Sequence, residues 1–359
     1  MASYSARRIV GLGLLVGSLS LADAGCSDTE PSGDDGSESS GDESGGDALP
    51  TTQTDVYADY PEALSSFGAA VLDDHLYVYS GHIGTTHEHS EDNLSQAFRS
   101  LDLGDPSASW RTLTFRDPVQ SASLVAHEGA LYRTGGMVAY NGYDELHEEL
   151  ESVAAFERYD PQADAWTELP ALPGGRSSHD AVVVDGVHYV FGGWQLSGSD
   201  STSGVFYDHG LRFDLSSGSG AWEEVPQPFQ RRALCVATDG ARVYVIGGLD
   251  QDNQGSVRTD VYDPAQGTWS AGPNAPGGDD PFVAFGCSSF GVGGRVYLTL
   301  NDGFVRRLAE DGQSWEPIAT MVEPRFFMRL VAPGPESLLL VAGVATEADH
   351  LADIEVLPL

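Results

Sequence analysis

The sequence predicts an all-β ring of six small sheets, each a four-stranded antiparallel meander, and three observations predict it. Pairs of short apolar runs joined by turn dipeptides such as Asp185-Gly186 recur along the chain, as β-hairpins do. The runs are apolar on successive residues rather than alternate ones, which fits strands covered on both faces. The second run of each pair ends at a glycine or its counterpart: Gly81, Gly136, Gly193, Gly248, Asn301 and Gly343. The spacings are roughly 40 to 57 residues, the period of propeller blades.

The stretch from Arg176 to Pro226 sets the pattern. RSSHDAVVVDGVHYVFGG supplies two strands and a bend at Gly192-Gly193, LRFDL a third strand and WEEVP a fourth. Trp110, Trp166, Trp222, Trp269 and Trp315 keep step with it, after segments such as RYDP (158 to 161) or VYDP (261 to 264). These residues resemble the kelch repeat, in which a glycine pair, a Tyr-Asp-Pro and a spaced Trp mark each blade. The resemblance covers about six sevenths of the chain. It implies that the repeated aromatics fill the space between blades.

Taken in order, the chain begins with Arg7 and Arg8 before an apolar run from Ile9 to about Ala22, too short to span a bilayer and shaped like a secretory signal. Two cleavage readings compete within residues 1–25. Ala22-Asp23-Ala24 has the small-x-small form of ordinary cleavage, which would release a soluble secreted protein. Ala24-Gly25-Cys26 resembles the end of a bacterial lipoprotein box, although Asp23 stands where an aliphatic residue is usual. A lone Cys followed at once by a polar tail favours lipid attachment at Cys26. The expected location is therefore extracytoplasmic, with the membrane touched only through that anchor. Residues 26–50 are rich in Ser, Gly, Asp and Glu and hold no aromatic or basic residue, so they are expected to form a disordered tether.

Residues 51–359 are read as one domain, because blades share a ring and none buries its faces alone. Blade one takes 65 to 82, 98 to 103 and Trp110; blade two takes 121 to 136, 155 to 161 and Trp166; blade three is the pattern stretch. Blade four takes 231 to 248, VYDP and Trp269. Blade five, with RVYLTLNDG (295 to 303), lacks the glycine pair. Blade six takes 325 to 333, 337 to 343 and 354 to 359, and then the chain stops before a fourth strand. Laying 54 to 71 over 166 to 183 matches Pro61 with Pro173 and Ala69 with Ala181. Thr54 to Tyr57 is therefore expected to supply the missing strand and close the ring.

The charge balance is 18 Lys+Arg against 54 Asp+Glu, a net charge of −36, and every base is Arg. Such a surface repels phosphate backbones, so nucleic acid is not an expected partner. A monomer is expected. Loops between strands four and one, and between two and three, fall on one face, and that face carries the longest insertions. One of them holds His82, His87 and His89 beside Glu88, Glu91 and Asp92; imidazole with carboxylate suits a divalent metal, and a polar loop without metal is the plainer reading. Arg176, Arg231, Arg232 and Arg325 stand just before first strands, where the ring would bring them round the channel mouth. There they either grip a carboxylate such as an acidic sugar or tie blades together. His179 and Trp194 lie on the same rim, and an indole beside donors makes a sugar platform. Cys235 and Cys287 differ by one residue in repeat position, which is expected to point them to opposite faces as free thiols.

Among propellers of this kind, galactose oxidase and its relatives need a Cys crosslinked to Tyr at copper, and neither Cys235 nor Cys287 has that context. Sialic acid mutarotases resemble the chain more closely, being extracytoplasmic six-bladed rings acting on an acidic sugar. No motif here fixes a catalytic acid and base, and a shared fold supports no activity by itself. The expectation is a binding module for a glycan or protein ligand on the long-loop face. The alternative is a carbohydrate-active enzyme of mutarotase type, or a metal-dependent one, at the channel mouth.

Overall fold

The first strands build the ring. The computed structural model describes residues 48–86, 88–142, 148–198, 204–217, 220–278, 280–345 and 349–359. The signal segment, Cys26, most of the tether and His87 lie outside the described residues. Gly68–Leu72, Ser123–His127, Ser177–Val184, Cys235–Thr238, Ser288–Val292 and Arg329–Gly334 are the inner strands of six blades. Each adjoins the next, and the last returns to the first. Outward from them each blade runs as an antiparallel meander in sequence order, as expected. The hairpin turns show why these dipeptides were chosen. Asp185 and Gly186 have φ of 50° and 75°, and Asp73-Asp74, Glu128-Gly129 and Gly293-Gly294 are likewise left-handed, the turn whose twist matches paired strands.

Blade two departs from the plain meander. From its loop between strands two and three, Met137–Ala139 pairs with Leu150–Ser152, which pairs in turn with Ser197–Gly198 of blade three. The resulting three-stranded sheet spans two blades on the long-loop face.

Two backbone devices join the blades. The first is a cycle of left-handed residues at one repeat position: Ser66, Ser121, Ser178, Ala233, Gly286 and Phe327, with φ between 51° and 64°. Each N–H donates to the carbonyl of its counterpart one blade earlier, Ser121 to Ser66 (2.6 Å), Ser178 to Ser121 (3.2 Å), Ala233 to Ser178 (2.8 Å), Gly286 to Ala233 (3.0 Å) and Phe327 to Gly286 (2.8 Å). Ser66 donates to Phe327 (3.1 Å) and completes the circle. Side chains other than Gly pay of order 1–3 kcal/mol for such a backbone, and the bonds around the circle hold it there. The second device uses the glycine pair. Gly193 N–H donates to the Arg231 carbonyl (2.8 Å), and a Cβ on Gly192 would sit 2.7 Å from that same oxygen, so the close approach requires glycine.

Side chains add three ties. The indole N–H groups of Trp110, Trp166, Trp222, Trp269 and Trp315 donate to Ala58, Thr114, Pro170, Pro226 and Pro273 carbonyls at 2.6–3.0 Å, each bolting a fourth strand to the preceding blade. Arg329, on the inner strand of blade six, bonds Asp180 of blade three (3.0 Å) and the carbonyls of Phe67 (3.0 Å) and Ala122 (3.3 Å) in blades one and two. Blades three and six face each other in a six-membered ring, so this ion pair crosses the axis. The third tie corrects an expectation. Cys235 and Cys287 are not free thiols but a disulfide, with Cα atoms 5.7 Å apart. Cys287 precedes the strand Ser288–Val292, so strand alternation does not govern its direction, and neighbouring inner strands bring the sulfurs together.

The closing segment is found, two residues earlier than expected. Gln53 and Val356 exchange both backbone bonds at 2.8 Å, and Thr320 N–H donates to Pro50 (2.9 Å) while Thr52 N–H donates to Thr320 (2.9 Å). The segment therefore pairs with blade six and also with the last strand of blade five. Thr54 to Tyr57 form no strand, because Asp55 is left-handed at φ 61° and turns the chain out. Pairing resumes where Tyr60 and Leu64 N–H donate to Ala352 (2.8 Å) and Leu351 (3.1 Å). The bonded segment thus includes Pro50, the last residue of the stretch read as tether.

Candidate functional site

Three arginines share one repeat position, four residues before the axial position that Asp180, Cys235 and Arg329 share, and the structure buries all three instead of gathering them round the mouth. Arg325 is fully committed: it chelates Asp353 (2.9 and 2.9 Å), bonds Glu355, and donates to the carbonyls of Glu323 (3.1 Å) and Ala342 (3.3 Å). Arg231 pairs with Asp260 and donates to Gly247 (2.8 Å) and Arg258 (3.0 Å) carbonyls. Both side chains therefore act structurally, but each binds strands of its own blade, not a neighbouring blade as expected.

Arg176 differs. Its second-strand neighbours match those of Arg231 and Arg325, but the third-strand position that carries Asp260 or Glu355 is Leu211 in blade three, opposite Val190. Arg176 is 0% exposed and, among the described residues, forms no ion pair. One nitrogen donates to the His209 carbonyl (3.2 Å), the guanidinium carbon lies 3.7 Å from the Tyr207 ring centre, and Nε and Nη1 have no acceptor. Burial pulls its pKa down to about 10, so it stays charged at neutral pH.

Beside it, Trp194 is half-buried at the end of the second strand of blade three and packs edge-on to Phe206, with ring centres 5.6 Å apart. Arg232 of blade four lies 4.2 Å over the Trp194 ring. Among the described residues, Trp194 Nε1 and Arg232 Nε are also buried without acceptors. His179, expected on the rim, turns inward: it is 3% exposed and faces Ser123 Oγ at 3.3 Å. Burial, and then the charges of Arg176 and Arg329, hold its pKa well below the usual imidazole range.

The histidine loop has a partner that sequence reasoning missed. His82 is 3% exposed and stacks on His350 of blade six, Nδ1 to Nε2 3.1 Å, while its Nε2 faces the Glu88 carbonyl at 2.9 Å. His350 also meets Ser65 Oγ (3.0 Å), and burial with the nearby His82 lowers its pKa to about 4. His89 Nδ1 meets the Gln120 amide at 3.0 Å. The described histidines thus stitch blade one to blade six and to the loop before blade two. Among the described residues no group of three or more His, Cys, Asp or Glu side chains is disposed to hold a metal ion. Among the described residues, one hollow lies between blades four and five near Asp239 and Arg295, and another on the long-loop face between blades one and two.

Comparison with known proteins agrees with this architecture. A family model described as the kelch motif matches residues 230–276. The kelch-like protein terF of Aspergillus terreus is 26% identical over 224 residues, 59% of this chain and 45% of that protein. Beta-scruin of Limulus polyphemus is 23% identical over 57% of this chain and 21% of its own length. Kelch-like protein 35 of Mus musculus is 27% identical over 59% and 31% respectively. The chain thus spans less than half the length of these relatives. The solved structure of YjhT superposes with a TM-score of 0.67 at 17% identity, covering 85% of this chain and 97% of that one, which shows the shared fold.

Proposed function

We propose that this kelch-repeat β-propeller is an extracytoplasmic binding module, held at a membrane by a lipid on Cys26, that takes a glycan on its long-loop face. The observation that carries the reading is that, among the described residues, several N–H donors of blades three and four have no acceptor, namely Arg176 Nε and Nη1, Trp194 Nε1, Arg231 Nε and Arg232 Nε. Buried N–H groups left unpaired cost about 1–3 kcal/mol each. A ligand rich in hydroxyl or carboxylate oxygens would satisfy those within reach, and the Trp194 and Phe206 rings offer an apolar face to a sugar ring. Arg232 and Trp194, both partly exposed, are the residues a ligand meets first. The Cys235–Cys287 bridge supports the location, since disulfides persist in oxidising compartments.

The test is a glycan-binding screen of the purified protein beside Trp194→Ala and Arg232→Ala. Binding by the parent, weakened at least tenfold in both variants, is the expected result. No glycan bound, or equal binding by all three proteins, would sink the reading in favour of a protein ligand at this face. Anomer exchange of any bound sugar, followed by NMR with and without the protein, separates binding from mutarotase activity. Changing Cys26 to Ser is expected to move the protein from the membrane fraction to the soluble one.

A further inference from the structure

His82 and His350 meet where the first blade closes on the last. His82 stands just beyond the second strand of blade one and exchanges backbone bonds with Ser65 (2.8 and 3.0 Å); His350 opens the third strand of blade six and pairs with Val344. The backbone of two blades thus fixes where the rings stand. Their facing atoms are His82 Nδ1 and His350 Nε2, 3.1 Å apart. The Glu88 carbonyl opposite His82 Nε2 (2.9 Å) can only accept, so in the neutral ring that nitrogen holds the proton and Nδ1 presents a lone pair. Metal-binding imidazoles are commonly oriented by such a carbonyl behind the far nitrogen. Ser65 Oγ lies 3.0 Å from His350 Nε2 and adds an oxygen, and the partly exposed His350 ring gives an ion its approach.

Two nitrogens 3.1 Å apart, each about 2.0–2.1 Å from a shared ion, subtend about 100° at it, close to the tetrahedral angle. Imidazole nitrogen selects Zn, Cu or Ni over Ca and Mg, and the tetrahedral angle favours zinc. His89 stands beside the pair, its ring centre 5.3 Å from that of His82, but its Nδ1 accepts from the Gln120 amide (3.0 Å). Among the described residues no third His, Cys, Asp or Glu completes a metal-binding group. We propose that His82 Nδ1 and His350 Nε2 bind a zinc(II) ion that clamps blade one to blade six, with Ser65 Oγ and water in the remaining positions. In the metal-free pair His350 Nε2–H donates to His82 Nδ1. Zinc takes both lone pairs, and that proton passes to Nδ1 of the same ring, which keeps His350 neutral.

The clamp shares no residue with the glycan rim of blades three and four and does not depend on it. The probe is zinc chloride added to the purified protein in excess calcium chloride, since calcium takes exposed carboxylates and leaves imidazole alone. Calorimetric titration is expected to show one zinc per chain. The thermal midpoint should rise with zinc, because the two ligands are brought together only in the folded ring. His350→Gln should weaken that binding at least tenfold and remove the zinc-dependent rise, and its midpoint without zinc shows that it folds. His127→Gln, on the inner strand of blade two and away from the seam, should change neither. No zinc bound in the presence of calcium, equal binding by His350→Gln, or a midpoint that zinc leaves unmoved in the parent would each overturn the proposal.

Discussion

Blade three and blade six place an arginine at the same repeat position, equally buried, and treat it in opposite ways. Arg325 has its five N–H groups directed at two carboxylates and two carbonyls, whereas Arg176 has a carbonyl, an aromatic face and two nitrogens without acceptors. A desolvated cation–π contact is worth about 2 kcal/mol, but breaking a buried ion pair costs about 3–5 kcal/mol, mostly from the charge left behind. The repeat therefore conserves a shape, not an energy. Where Leu211 replaces the acid, the arginine is no longer needed to balance anything in its own blade and becomes available for another use.

The largest effect that would break this comparison is expected from Arg325→Gln, which strands Glu355 at 0% exposure; chemical denaturation should show a loss of about 3–5 kcal/mol. Arg231→Gln should cost less, about 2–3 kcal/mol, because Arg258 remains 2.8 Å from Asp260 and keeps that carboxylate compensated. Restoring the missing acid sharpens the contrast: Leu211→Glu should keep the denaturation midpoint within about 1 kcal/mol of the parent, while Leu211→Gln, which buries a polar group without a charge partner, should lose about 2 kcal/mol. Arg176→Gln strands no carboxylate and is expected to change stability by less than about 1 kcal/mol. A loss as large as that of Arg325→Gln would mean that the Tyr207 face compensates the charge as well as an acid does.

The smallest effect is one of pH. His179 is kept neutral by burial, and then by Arg176, Arg329 and His188, so its folded pKa lies below its unfolded value of about 6.5. As pH falls below about 6.5 the unfolded chain takes up a proton that the folded chain refuses, and stability declines. His188, with a folded pKa of about 3 from burial, adds to the same decline down to that value. Removing the Arg176 charge raises the folded pKa of His179. The decline ends where pH reaches the folded pKa, so thermal midpoints followed from pH 7 to about 3 should level off at a higher pH in Arg176→Gln than in the parent, and coincident profiles would show that Arg176 exerts no field there.

The blades were readable because each is written several times: a misread Gly pair or Trp is corrected by its counterparts, and the indole bonds fall at the five tryptophans that kept step. The closing segment was readable by the same overlay, and its two-residue displacement was not, because it depends on the backbone of Asp55 rather than on a side-chain pattern. The arginine ties illustrate what repeats can hide. Asp260 and Glu355 sit 29 and 30 residues after their partners, and aligning those third strands would have exposed Leu211 as the odd member. The disulfide was missed because alternation was applied to Cys287, which lies outside the strand. The His82–His350 stack and the Arg329–Asp180 pair join residues far apart in the chain, Asp180 and Arg329 with |i−j| of 149, and nothing local announces either.

The circle of hydrogen bonds through Ser66, Ser121, Ser178, Ala233, Gly286 and Phe327 has no first member. A chain permuted to begin at any outer loop would find the same six neighbours in the same rotation, so covalent order is irrelevant to it. Pulled from its two ends, such a molecule should hold until one link yields and then unravel in a single event, since an opened loop of equal links has no intermediate at which to rest.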